Sequence, residues 1–201
     1  MTHDAQRKAQ IAQRMTHEAY GITMTTAPPE YLTLDRCPTP LGAMLLAVDQ
    51  AGWLRTLDFT DEETRTVKHL RSQYGDSVDI RTGSAPAPIR EALIGYFAGK
   101  LELLDSIPCA PSGTPFQQGV WTALRTIPAG RTLSYGGLAE QLGNPKAVRA
   151  VGLANGANPI PIVIPCHRVI GADGSLTGYG GGLARKRWLL AHEGRFSPLL
   201  A

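Results

Sequence analysis

Cysteine is scarce in this 201-residue chain: Cys37, Cys109 and Cys166 stand far apart and form no C-x-x-C pair. That excludes a disulfide framework and offers neither a redox dithiol nor a zinc-finger pattern. Charged residues are few at 18% and aromatics fewer at 6%. No apolar run approaches the roughly 20 residues that a membrane-spanning helix needs. No fixed period recurs, which excludes a solenoid. No secretory pattern opens the chain, because His3, Asp4, Arg7, Lys8, Arg14, His17 and Glu18 interrupt any apolar core before Ala27. The expected compartment is the reducing cytoplasm. What is abundant is hydrophobic residues, 43%, with 22 Gly and 15 Pro, the composition of a loop-rich globular protein of one or two domains.

Charge divides the chain. The overall +3 resolves into 11 basic and 14 acidic residues up to Gly113 and 9 basic and 3 acidic ones after it, so the second half is the part suited to an anionic partner. Residues 1–36 read as a polar N-terminal extension, with a short helix over 5–15. A domain over 37–107 follows: a β-hairpin of 43–48 and 53–59 about the turn Asp49-Gln50-Ala51-Gly52, a helix over 61–74, a strand over 78–81 and a helix over 88–98 that buries Leu93, Tyr96 and Phe97. Prolines crowd Leu103 to Pro115, and the linker is set at 108–115. From 116 to 201 the pattern is mainly helical. Thr114 and Pro115 start a helix over 116–127, and a second runs from Ser134 to Leu142. Asn144-Pro145 then caps a third over 146–155, with Val148, Val151 and Asn155 facing inward and Lys146, Arg149 and Leu153 outward. Two short helices about a tight Gly-Asn-Pro turn read as a helix-turn-helix.

The chemistry centres on Asn158-Pro159-Ile160-Pro161-Ile162-Val163-Ile164-Pro165-Cys166-His167-Arg168-Val169. Prolines at 161 and 165 exclude a central strand and predict a stiff, buried, extended segment that delivers Cys166 to a pocket. A cysteine acts as a nucleophile through its thiolate, and His167 is the adjacent group able to raise the thiolate fraction. Taken alone, a Cys-His pair is more often an inert buried thiol beside a surface histidine. Three features shift the balance. Glu193 sits at the end of a helix over 183–193 closed by Gly194, where a carboxylate opposes the helix dipole, so another task for it is implied: orienting a histidine in a Cys, His, Glu relay. A loop, Thr177-Gly178-Tyr179-Gly180-Gly181-Gly182, offers backbone donors and an aromatic wall without the dinucleotide-binding spacing. The cysteine also follows directly on the helix-turn-helix, which suggests chemistry on a base.

These residues resemble a known family. Ile-Pro-Cys-His-Arg-Val at 164–169, Asn-Pro-Lys-Ala-Val-Arg-Ala-Val-Gly at 144–152 and Gly-Gly-Leu-Ala-Arg-Lys-Arg-Trp-Leu-Leu-Ala-His-Glu-Gly at 181–194 look like O6-alkylguanine-DNA alkyltransferases. Tyr-Phe-Ala-Gly at 96–99 and Gly-Thr-Pro-Phe-Gln at 113–117 are similar to the bacterial stand-alone form. The resemblance implies an α+β protein, with a small ribonuclease-H-like α/β unit ahead of a helical domain carrying the helix-turn-helix. It implies a DNA repair enzyme that works once, the Cys166 thiolate taking the alkyl group from guanine O6, with thymine O4 as a candidate second substrate. His167 is then a base acting through a water, Glu193 its orienting partner, and Asn158 the residue that holds the pocket's turns. Arg149 is the side chain that replaces an extruded nucleotide, with Ala147 and Ala150 against the minor groove of double-stranded DNA. Tyr135 lies near the flipped base, Val169 and Gly180 bind its edge by main-chain groups, and Tyr179 and Pro161 line the alkyl side. Gly180 stands where some members have serine. No cofactor, metal or membrane is expected, because the zinc ligands of certain members have no counterparts near Cys37 or Cys109, and the protein is expected to be a monomer. Pro161 suggests that benzyl-sized adducts are accepted with methyl.

Two alternatives use the same residues. A cysteine hydrolase or acyl transferase would employ Cys, His and Glu but leave Arg149 and the helix-turn-helix idle. A non-enzymatic sensor of alkylated bases would have no use for Cys166.

Overall fold

A computed structural model describes residues 28–59 and 63–194; the helix expected over 5–15 lies outside them. The fold is α+β. Four strands form one sheet in the order β3-β2-β1-β4, with β1 Tyr31–Thr39, β2 Gly42–Asp49, β3 Leu54–Asp58 and β4 Asp79–Thr82. The hairpin of β2 and β3 is antiparallel, as is β1 with β2, and β4 joins β1 in parallel. Met44 to Val48 are buried without alternation because both sheet faces are covered. Leu32, Leu34, Leu45 and Ala47 pack with Leu70 of α1 (Glu63–Tyr74), while Cys37, Met44, Leu46, Val48, Leu54 and Leu57 join a core that continues into the C-terminal half.

Strand β1 begins at Tyr31, so 31–36 belong to the sheet and not to a polar extension. Asp35 gives that stretch its polar character, yet it is buried: its carboxylate pairs with Arg90 and accepts a hydrogen bond from Ala85 N at 2.9 Å. α2 (Ala87–Phe97) sends Ile89, Ala92, Leu93 and Tyr96 into the core, with Phe97 half-buried. A 3-10 turn over Leu101–Ser106 follows, just ahead of the linker set at 108–115.

The strap after it is tied down. Leu54 N donates to Pro108 O and Ala110 N to Leu54 O, which covers the outer edge of β3. The buried Arg125 guanidinium donates to the carbonyls of Ile107 and Asp105. Farther along β3, Leu57 N donates to Pro159 O at 2.9 Å. The same edge therefore anchors the turn that precedes Cys166.

α3 (Pro115–Arg125) starts with a reciprocal cap between Thr114 and Gln117. Its Trp121 indole donates to Ala154 O at 2.9 Å and pins α5 (Val148–Gly156). α4 (Tyr135–Gln141) is capped by Ser134. The entry to α5 differs from expectation: Asn144 makes no side-chain cap, and Pro145–Ala147 form a 3-10 turn. Three residues per turn instead of 3.6 rotate the faces that follow, so Val148 is exposed while Val151, Ala154 and Asn155 point inward. Leu153 is 72% exposed and Lys146 and Arg149 lie outside with it. α6 (Leu183–His192) ends at Glu193, with Gly194 at φ +82° closing it. None of the described helices is long and apolar enough to cross a membrane.

Candidate functional site

The segment before Cys166 is not extended. Residues 160–164 close a tight turn in which Ile164 N donates to Ile160 O at 2.9 Å and Ile162 takes φ +75°. For a β-branched residue that conformation is strained. Asn158 holds it: its Oδ1 accepts from Ile160 N at 3.0 Å and its Nδ2 donates to Ile164 O at 2.7 Å. One side chain supplies the partners that a neighbouring strand would have given, and the three prolines have no N–H to satisfy. A 3-10 turn, Cys166–Arg168, follows, and then β6 (Val169–Ile170), parallel to β5 (Leu133–Ser134). Because β5 runs straight into α4, that pairing sets Tyr135 beside the Cys166 turn.

A cavity of about 680 Å³ opens at this junction, lined by Cys166, Asn158, Tyr135, Pro161, Tyr179 and Gly180 among others. The N-terminal half contributes Thr56 to Phe59, Arg65 and His69 to its wall, none of which the sequence marked. Arg149 and Ala150 lie outside the cavity on the exposed face of α5, with Ala147 half-buried in the turn before it, and Val169 is buried in β6. Cys166 is 5% exposed, and His167 and Glu193 lie buried behind it.

Glu193 is the hub. Its Oε1 accepts from His167 Nε2 at 2.9 Å, Arg168 Nη2 at 2.9 Å and Tyr96 Oη at 2.9 Å; its Oε2 accepts from Arg168 Nε at 2.8 Å and Gly130 N at 3.4 Å. Gly130 fits only as glycine, since at φ +74° a Cβ would stand 2.8 Å from Glu193 O. Burial pushes the Glu193 carboxyl up, but the bonds from His167 and Arg168 and the guanidinium charge outweigh it and hold the group well below the usual carboxylate range. The same carboxylate raises the Tyr96 phenol far above its ordinary value, after burial as the larger cause.

With an ionised carboxylate against Nε2, that nitrogen carries the histidine proton. Burial lowers the His167 pKa and keeps the ring neutral, and Nδ1 makes no hydrogen bond to the described residues. The free lone pair of a base is therefore available on Nδ1. The thiol departs from expectation. Burial pushes Cys166 up to about 11, against the smaller lowering influence of Asn158 and Lys186, so His167 does not maintain a resting thiolate. The site stores a neutral thiol beside a neutral base.

Sequence reasoning also missed Lys186, Arg168 and Tyr96. Lys186 is fully buried and its Nζ donates to Val169 O at 2.6 Å and Thr177 O at 2.7 Å, joining β6 to the glycine-rich loop. In sequence it is one cation in a basic run. Tyr96 had a signal, because a tyrosine on a helix's buried face needs a partner for its hydroxyl.

Residues 115–195 match the family described as 6-O-methylguanine DNA methyltransferase, DNA binding domain. Over 161 residues the chain is 48% identical to a methylated-DNA--protein-cysteine methyltransferase of Shigella flexneri, covering 80% of this chain and 94% of the relative. A protein of the same name from Mycolicibacterium paratuberculosis is 52% identical over 171 residues, 84% of this chain and 94% of its own. Among solved structures, the O6-methylguanine methyltransferase of Mycobacterium tuberculosis superimposes with a TM-score of 0.67 at 40% identity, covering 84% of this chain and 96% of that one. The Mycobacterium tuberculosis protein solved in complex with DNA gives a TM-score of 0.67 at 42% identity over 81% of this chain and 94% of that one.

Two outcomes are expected from the geometry. Glu193→Gln leaves the Arg168 guanidinium buried without its countercharge, and should cost about 3–5 kcal/mol, read from urea unfolding; a loss under about 1 kcal/mol, the range of an exposed pair, would remove Glu193 from its central place. Labelling of Cys166 by iodoacetamide in the free protein, followed by peptide mass, should accelerate about tenfold per pH unit from pH 7 to pH 10, as a thiol with a pKa near 11 requires. A plateau reached by pH 8 would mean a preformed thiolate.

Proposed function

Because this chain belongs to the methylated-DNA--protein-cysteine methyltransferase family, we propose that Cys166 is its alkyl acceptor and O6-alkylguanine in double-stranded DNA its substrate. The protein is a DNA repair enzyme that moves an alkyl group from DNA to one of its own cysteines. The observation that carries the assignment is the cavity with Cys166 in its wall and the His167–Glu193 pair behind it.

The reaction is a displacement at the alkyl carbon. As the S–C bond forms and the C–O6 bond breaks, the thiol proton passes to His167 Nδ1 through a water, and the electron pair of the broken bond stays on the guanine. Tyr135, near the departing purine, supplies the proton that neutralises it. Glu193, itself fixed by Arg168, holds the imidazole and stabilises the imidazolium that forms. Asn158 keeps the strained turn in place, the backbones of Val169 and Gly180 meet the guanine edge, and Tyr179 and Pro161 face the alkyl group. The product is a thioether, which no group in the site can cleave, so each molecule acts once.

A base reaches such a cavity only by leaving the duplex. Arg149 is exposed on α5 between the small Ala147 and Ala150, and in this reading it fills the gap from the minor groove. In this reading a sheet unit running to residue 107 and the strap over 108–115 support an alkyl-acceptor unit from 116 onward. It acts as a monomer in the cytoplasm, where its three free thiols stay reduced.

The test is the mass of the intact protein before and after a duplex containing O6-methylguanine. One methyl group should appear on the peptide holding Cys166 and be absent from Cys166→Ala. Binding without a mass change would favour an alkylated-base sensor, and continuing turnover of an acyl substrate a cysteine hydrolase. Arg149→Ala should slow transfer from duplex DNA about a hundredfold, within the few kcal/mol of unstacking that the side chain offsets. Transfer from free O6-benzylguanine should be unchanged, and an equal loss on both substrates would place Arg149 elsewhere in the mechanism.

A further inference from the structure

Lys186 ties the start of the glycine-rich loop that walls the cavity through the carbonyls of Thr177 and Gly178, and a second side chain braces its far end. Arg185, on α6, donates from Nε to Leu41 O at 3.0 Å in the β1–β2 turn and from Nη1 to Gly181 O at 3.1 Å. Its guanidinium carbon stands 4.8 Å from the centre of the Phe59 ring. A Cβ on Gly181 would lie 2.8 Å from Tyr179 Cε1 and 3.2 Å from Phe59 Cδ2, so the backbone there is pressed between two rings. The layers run from guanidinium to Phe59 to Gly181 to Tyr179, and Tyr179 faces the cavity.

We propose that Arg185 is a positioning residue for transfer, a brace that holds the Gly178–Gly181 wall against the N-terminal sheet and thereby fixes where the purine lies. The inference rests on the reading of Cys166 as alkyl acceptor. Two of the three groups that Arg185 grips, Leu41 and Phe59, belong to the N-terminal half, which gives that half a part in the reaction. The geometry needs a planar, forked cation: lysine offers a point charge that cannot make both hydrogen bonds and lie over the ring. A wall displaced by a fraction of an ångström takes the alkyl carbon off the line of attack, and rate is lost without loss of DNA binding.

Single-turnover transfer, measured against concentration for an O6-methylguanine duplex and for free O6-benzylguanine, separates maximal rate from half-saturation. Arg185→Ala should lower the maximal rate about tenfold on both substrates, with affinity for undamaged duplex unchanged. Arg185→Lys should recover part of it, and carries the test if the alanine variant does not fold. Phe59→Leu should also slow transfer, and in the double variant the two losses should not multiply, because both act through one stack. Arg187→Ala, exposed on the same helix, should behave as wild type. A lower melting temperature with an unchanged rate per active molecule, or losses that multiply, would overturn the brace. A wild-type protein that transfers nothing to Cys166 would instead overturn the underlying reading and this inference with it.

Discussion

One buried carboxylate organises this protein. Glu193 collects hydrogen bonds from the Cys166–Arg168 turn, from α2 through Tyr96 and from the turn after α3 through Gly130. It lies at a helix C-terminus, where a negative charge is unfavourable, and away from water, where it is more so. The Arg168 guanidinium offsets both costs by meeting it through two nitrogens. With the imidazole neutral, carboxylate and guanidinium cancel, and the buried cluster carries no net charge. That balance leaves His167 free to become cationic when a proton arrives, since its partner is already ionised.

A thiol raised to about 11 looks like a poor nucleophile, and in a reagent used once that is an advantage. A standing thiolate would meet any electrophile in the cell and be spent. In the proposed mechanism the proton leaves only when a base, a bound alkyl carbon and a departing purine are all present, so reactivity is created by the substrate's arrival. The dry surroundings that suppress ionisation at rest also strengthen each interaction once charge begins to form.

Much of this was legible from residue order. The β2–β3 hairpin, the helices, the Thr114 cap and the pairing of His167 with Glu193 follow from local pattern and from a carboxylate in an awkward place. What could not be read depends on distant partners. Asp35 makes β1 look polar until Arg90 and Ala85 are seen to satisfy it. Residues 160–164 look extended because nothing local shows Asn158 reaching across to replace a strand. Val148 moved to the outside because three residues of 3-10 geometry precede it. Lys186 was hidden among other cations, since its three carbonyl acceptors come from β6 and a loop elsewhere in the chain.

The division of labour between surface and cavity follows from what each can distinguish. The outer face of α5 and the turn before it presents Lys146, Arg149, Leu153 and small side chains, two cations and little that could form paired hydrogen bonds with base edges. Such a face suits a duplex of any sequence, through charge and shape. Under the proposed function damage recognition is therefore left to the cavity, whose wall combines a strained turn held by Asn158 with a glycine loop held by Lys186 and Arg185. Both are backbone surfaces, and fixed main-chain groups are what a purine edge needs to be told from other bases. In that reading the extruded base is tested after it leaves the stack, against main-chain surfaces that Asn158, Lys186 and Arg185 hold.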